Sequence, residues 1–166
     1  MNNIIVNNKQ INISRGNQKD FVKYYSDARR AKKAFISLVK NDTLIPFFAT
    51  YKGKMIGKIY FIKQHNDTEV ADGKEIGYIC NLYVEPKYRC NGIGTALINC
   101  VKEYAAENGF LKLCLGVEES EFRNVKLYNS LGFTNKIKVT DRDMIFKDAD
   151  GNPLKVNEYL ILSSDI

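Results

Sequence analysis

Apolar residues change period several times along this chain. Ile4 to Ile13 alternates and predicts one or two short strands. From Asn17 to Lys40 the spacing lengthens. Phe21, Tyr24, Tyr25, Ala28, Phe35, Leu38 and Val39 recur mostly three or four positions apart, which predicts helix. Asp27 is a candidate cap inside that stretch, so two short helices are expected. Pro46 to Tyr51 and Met55 to Lys63 are aromatic and β-branched runs split by Lys52-Gly53-Lys54, a hairpin signal. The polar run His65 to Lys74 reads as a loop between strands. Ile76 to Val84, IGYICNLYV, is apolar on both faces and predicts a central strand that Pro86 ends. Gly92 to Asn108 reads as a helix with Ile93, Leu97, Ile98, Val101, Tyr104 and Ala105 on its apolar side and Gly109 as its stop. Leu111 to Val117 is a further strand, and Glu121 to Leu131 a helix closed by Gly132. Phe133 to Leu162 is strand-like, broken by a turn at Asp148 to Pro153, DADGNP.

The order is therefore β, αα, βββ, α, β, α, ββ. Antiparallel strands feed a β-α-β crossover, so the class is α/β with a mixed sheet. With 166 residues, the chain fits a single domain, 1–166.

Composition narrows the chemistry. Hydrophobic residues are 45% and charged residues 27%, the balance of a globular protein. The net charge of +6 fits an anionic ligand, a nucleic acid or a basic surface. His65 is the sole histidine, which rules out a multi-histidine metal site. Cys80, Cys90, Cys100 and Cys114 form no C-x-x-C pair, so neither zinc nor a thioredoxin-like site is expected. Met1 to Asn12 lacks the apolar segment of a signal peptide. No apolar run of ~18 residues is present, so no membrane span is expected. These features point to the cytoplasm.

The densest chemistry lies where the central strand gives way to a helix: R-C-N-G-I-G-T, Arg89 to Thr95. Gly92 and Gly94 let backbone N–H groups approach a bulky anion, and a helix start adds unpaired donors and partial positive charge. Together these suit a pyrophosphate. A Walker loop would need G-K-[ST], and G-x-G-x-x-G fails at Leu97.

A second segment follows the next strand: N-V-K-L-Y-N-S-L-G-F, Asn124 to Phe133. With L-Y-V-E-P-K-Y-R-C-N-G-I-G before it, the chain resembles the GNAT superfamily of acetyl-CoA-dependent N-acetyltransferases from about Ile76 to Phe133. The resemblance implies an acyl-CoA N-acyltransferase-like fold, with a mostly antiparallel, twisted sheet of six to seven strands and about four helices. It implies acetyl-CoA as co-substrate, no metal, and a small-molecule or peptide amine as acceptor, in a monomer or homodimer.

Residue by residue, the resemblance implies that backbone groups of Leu82, Tyr83 and Val84 hold the pantetheine arm. The N–H groups of Arg89, Cys90, Asn91, Gly92, Ile93, Gly94 and Thr95 hold the pyrophosphate. Asn124 touches the cofactor, and Tyr128 sits near the thioester sulfur as the acid. The strand before the loop and the next strand splay apart, with the cofactor in the gap.

Many relatives carry a Glu on the central strand where this chain has Tyr78. Glu75, near the strand start, is the candidate base, with a water relay as the alternative. Asn81 can orient substrate or water but cannot serve as a base.

Two other readings stand beside the enzyme: a silent CoA-binding sensor of the same fold, and a basic nucleic-acid binder. The last lacks a nucleic-acid-binding motif, so no nucleic-acid partner is expected. Arg29-Arg30 and Lys32-Lys33 read as a solvated basic face.

Overall fold

The computed structural model describes the backbone of residues 2–6, 9–25, 29–147 and 153–166, and side chains within these except at 2, 29–32, 141–147 and 153–157. The elements run β1 (Asn2–Val6), β2 (Lys9–Arg15), α1 (Gln18–Tyr24), α2 (Arg29–Lys40), β3 (Leu44–Tyr51), β4 (Lys54–Ile62) and β5 (Ile76–Val84). A 3-10 turn at Pro86–Tyr88 follows, then α3 (Ile93–Glu107), β6 (Lys112–Glu118), α4 (Phe122–Ser130), β7 (Asn135–Lys147) and β8 (Pro153–Asp165). The cap expected at Asp27 and the turn from Asp148 to Asn152 lie outside the described residues, as do the side chains of Arg29, Arg30 and Lys32.

One sheet of eight strands runs β1-β2-β3-β4-β5-β6-β8-β7. Among the described residues, only β5 and β6 pair in parallel; every other neighbouring pair is antiparallel. The class is as expected, and the strand count is one higher. The alternation from Ile4 to Ile13 is a hairpin, β1 on β2, rather than a single strand. The β3–β4 hairpin turns at Lys52 and Gly53, both left-handed at φ 48° and 74°, as a two-residue turn with the sheet's own twist requires.

Helices cover both faces. Ile93, Leu97, Ile98, Val101 and Ala105 of α3 lie on one face with Phe61, Ile79, Leu113 and Leu115. On the other face, Phe21 of α1 and Phe35 of α2 pack with Phe48, Tyr60 and Ile62. A full capping box starts α1: the Asn17 side chain accepts the Lys19 and Asp20 N–H groups, and the Asp20 carboxylate accepts the Asn17 N–H. Beside α2's face, Val70 of the β4–β5 loop is fully buried with Cys114 and Ile161. That loop is clamped by Lys138 of β7, whose ammonium lies 2.5 Å from Asp67 and 2.6 Å from Glu69.

Strand β5 explains its own two-faced composition. Tyr60 pairs with Cys80, yet Lys58 pairs with Tyr83, so β5 holds one residue more than β4 across that span. Asn81 absorbs the extra residue at φ 54°, in the left-handed region. Below this bulge, Ile79 faces α3 and Tyr78 and Cys80 face away. Above it the sides exchange, and Leu82 and Val84 pack on the α3 side.

Candidate active site

The β5–β6 pairing begins at Ile76–Lys112 and stops at Ile79–Leu115. Beyond it the strands separate. Cys80 to Val84 keep β4 on one side, and Gly116 to Glu118 keep β8 on theirs. The facing edges bound a gap. A cavity of about 50 Å³ sits in it, lined by Ile59, Ile79, Cys80, Asn81, Leu82, Ile98, Leu115, Gly116 and Tyr128. That is room for water-sized groups.

Tyr128 reaches this cavity from α4. Its ring meets Phe133 edge-on at 6.4 Å, and Phe133 is fully buried. Burial pushes the Tyr128 hydroxyl up to about 12, with the Glu121 charge adding to the rise. The hydroxyl therefore stays protonated and remains a donor across the neutral range. Lys102 fixes the end of α4 that carries Tyr128. It donates to the Leu131 carbonyl at 2.7 Å and to Ser164 Oγ at 2.9 Å, while lying 4.9 Å from the Phe133 ring centre. Burial lowers the pKa of this ammonium.

At the gap's mouth, α3 begins. Gly92 is its N-cap, with φ 78° and no side-chain capping bond. The donors of the first turn are thus not covered by a cap, as an anion cradle requires. Cys90 is also left-handed, at φ 59°, and exposed. The two glycines do different work. A Cβ at Gly92 would meet nothing within 4 Å, so glycine there serves the backbone conformation. A Cβ at Gly94 would lie 3.9 to 4.0 Å from Leu127, Leu82 and Val84, in the lane between α4 and β5. Arg89 does not point its charge at the loop's donors; its Nε donates to the Val84 carbonyl at 2.9 Å. The Asn91 side chain closes the turn on the Tyr88 and Arg89 carbonyls.

The structure thus brings Leu82, Tyr83, Val84, the 89–95 loop and Tyr128 to one end of β5. Tyr83 is turned outward and exposed, and its backbone pairs with Lys58 of β4. Asn124 is on α4, but its amide donates to Glu121 at 3.0 Å across the first helical turn. Glu75 does not join them. It is exposed at the opposite end of β5, six residues or roughly 20 Å from the bulge at Asn81.

Sequence reasoning passed over Gly116, and it gave Glu121 no place beside Tyr128. A glycine inside a strand, L-C-L-G-V-E, marks a close approach and was the available signal for the first. Glu121 is recognisable only once α4 is seen to start after it.

Comparisons with known proteins agree with this geometry. An uncharacterized N-acetyltransferase of Methanocaldococcus jannaschii is 33% identical over 115 residues, 68% of this chain and 49% of that protein. The mycothiol acetyltransferase of Thermobispora bispora is 35% identical over 88 residues, 53% of this chain and 29% of that protein. The chain thus spans half or less of the length of these two relatives. A GNAT acetyltransferase from Elizabethkingia anophelis, solved with acetyl-CoA bound, superposes with a TM-score of 0.65 at 17% identity, over 94% of this chain and 98% of that one. The sequence profile of the acetyltransferase (GNAT) family matches residues 12–133, from β2 through the end of the α4 motif, and the chain belongs to that family.

Proposed function

We propose that this chain transfers an acetyl group from acetyl-CoA to a primary amine of a small molecule or peptide, by direct attack of the amine on the thioester. One observation carries the reading. The open edge of β5 above Ile79, the uncapped start of α3 and the Tyr128 hydroxyl converge on one gap in the sheet.

The residues present suit acetyl-CoA. The exposed backbone edge of Leu82 to Val84 can pair with an extended amide-bearing arm as an added strand would. The N–H groups of residues 89–95 can hold a pyrophosphate without a single charged side chain. When bound, acetyl-CoA supplies an activated acyl group on a good leaving group.

The protein must then do three things. It must accept a neutral amine, although a free alkyl ammonium has a pKa near ~10.4. It must meet the developing oxyanion with a fixed donor, for which a β5 N–H near Leu82 is suited. It must protonate the departing sulfur, which the neutral Tyr128 hydroxyl can do. No histidine is needed for any of these, which accords with the chain's single one.

The reading takes residues 1–166 as one N-acetyltransferase domain, supported by a sheet that runs from β1 at one edge to β7 at the other. None of the four cysteines forms a disulfide, which fits a cytoplasmic setting. Among the described residues, no helix is long and apolar enough to cross a membrane.

The test is thiol release from acetyl-CoA against a panel of lysine, spermidine, an amino sugar and a peptide with a free α-amine. Amine-dependent release is expected from at least one. Acetyl-CoA binding without release from any would favour the sensor reading.

A further inference from the structure

Helix α4 carries Tyr128, yet the fold holds it lightly. None of its residues is fully buried. Val125 and Tyr128, with Leu131 just past the helix end, lean on the core of the α3 side as half-buried contacts. Apolar contact is non-directional, so it keeps the helix on the sheet without fixing its rotation. The helix's own side-chain hydrogen bonds are local. Asn124 donates to Glu121 at 3.0 Å, and Ser130 Oγ donates to the Leu127 carbonyl at 2.7 Å. Among the described residues, the side-chain bond that ties its end to another element comes from Lys102 of α3, at the Leu131 carbonyl.

Lys102 is half-buried and, among the described residues, pairs with no carboxylate. Its ammonium takes two neutral oxygens instead. One is the Leu131 carbonyl, which the end of the helix leaves open. The other is Ser164 Oγ, buried in β8 opposite Leu113 of β6, which gives its own proton to the Asp165 carbonyl. The anchor is therefore the sheet itself. Gly132, left-handed at φ 88°, lies over this junction. A Cβ there would come within 3.1 Å of Ser164 Oγ and 3.7 Å of the ammonium.

Two links run from this cation to Tyr128. Leu131 and Phe133 each donate an N–H to the Tyr128 carbonyl at 3.0 Å, and the ammonium holds the Leu131 carbonyl. The ammonium also stands 4.9 Å from the Phe133 ring centre, and that ring meets Tyr128 edge-on at 6.4 Å. Backbone and ring of Tyr128 are thus both set from one point. A misplacement of about 1 Å in a reacting group can cost about a hundredfold in rate, so such a support matters.

We propose that Lys102 is a positioning residue for acetyl transfer: it pins the end of α4 to β8 and so keeps the Tyr128 hydroxyl at the gap between β5 and β6. The inference rests on the acetyl-transfer reading with Tyr128 as its proton donor, and it adds the residue that sets that donor's place.

The experiment uses the full chain, acetyl-CoA and the panel amine that the wild type turns over fastest. Lys102→Met keeps the apolar stem and removes the ammonium. It is compared with Tyr128→Phe and with the double variant. Three quantities are read for each: kcat, KM for acetyl-CoA, and the rise in melting temperature with acetyl-CoA. Lys102→Met is expected to lower kcat about tenfold, with KM and the shift near wild type. The double variant is expected to be no slower than Tyr128→Phe, because misplacing a hydroxyl costs nothing once the hydroxyl is gone. Wild-type kcat in Lys102→Met would overturn the proposal. Losses that multiply in the double variant would overturn it too, since Lys102 would then act apart from Tyr128. If Lys102→Met does not fold, Ser164→Ala decides, because it keeps the ammonium but frees it from β8. A several-fold loss of kcat at unchanged KM is expected there, and wild-type rates would refute the proposal. Wild-type kcat in Tyr128→Phe removes the donor that Lys102 serves, and the proposal with it. A wild type that shows no shift with acetyl-CoA instead defeats the acetyl-transfer reading beneath it.

Discussion

Ile76 to Ile79 and Cys80 to Val84 belong to one strand, yet they meet different neighbours. The lower half of β5 has β4 on one edge and β6 on the other. Its side chains alternate regularly, and Gly77 lets the Phe61 ring lie flat on the strand. The upper half keeps β4 alone, exchanges its faces at Asn81, and turns its other edge to the gap. The lower half satisfies its backbone groups within the fold. The upper half leaves a row of donors and acceptors for something else to pair with. In the proposed function the first half stabilises the fold and the second binds acetyl-CoA, and a single left-handed residue separates them.

Substitutions can sharpen that division. The largest effect is expected at the gap end of β5. Tyr128→Phe removes the proposed proton donor and should lower kcat by about a hundredfold or more, with acetyl-CoA affinity nearly unchanged, as steady-state kinetics and titration would show.

Gly77→Ala should act on the other half. A Cβ there would lie 2.1 Å from the Phe61 ring, which is itself fully buried and packed edge-on against Phe110 at 5.0 Å. Neither group can yield cheaply, so denaturant unfolding should show a loss of roughly 1–3 kcal/mol.

Asn81 tests the boundary itself. Valine disfavours the left-handed region by about 1–2 kcal/mol. Asn81→Val should therefore destabilise by that order and also reduce transfer, because straightening the bulge would return Leu82 and Val84 to the wrong face. Asn81→Gly keeps the conformation and should retain stability far better. Equal behaviour of the two variants would mean the bulge has no part in the site.

The smallest effect concerns alkaline pH. Burial pushes Tyr128 up to about 12 and Cys114 up to about 11, above their ordinary 10 and 9. Between pH 9 and 12 the unfolded chain therefore sheds these protons before the folded chain does. Stability falls as pH climbs through that window, and a scan of melting temperature against pH should show it. Turnover, by contrast, should show no loss from Tyr128 ionisation below about pH 10, because the donor is still protonated there.

Much of this was legible before the fold was known. The period-two runs located the strands, and Lys52-Gly53, Gly109 and Gly132 marked turns whose positive φ only glycine or a tolerant residue adopts readily. The 89–95 loop and Tyr128 announced themselves through residue types at fixed spacing. What stayed hidden depends on partners distant in the chain. One extra residue at Asn81 is invisible in I-C-N-L-Y, since a bulge exists only relative to β4. The pairing that sets Tyr78 beside Cys114 and places its hydroxyl over Gly116 joins segments more than thirty positions apart. Proximity in sequence pointed to Glu75, which strand geometry places at the paired end of β5, away from the gap. Asn124, expected at the cofactor, donates its amide to Glu121 at the start of α4.

The most direct test of the central claim is amide hydrogen exchange with and without acetyl-CoA. The cofactor should slow exchange at the open edge of residues 82–84 and in the loop at 90–95, and leave Ile76 to Ile79 as slow as before. Protection spread evenly along β5, or confined to its lower half, would contradict the account.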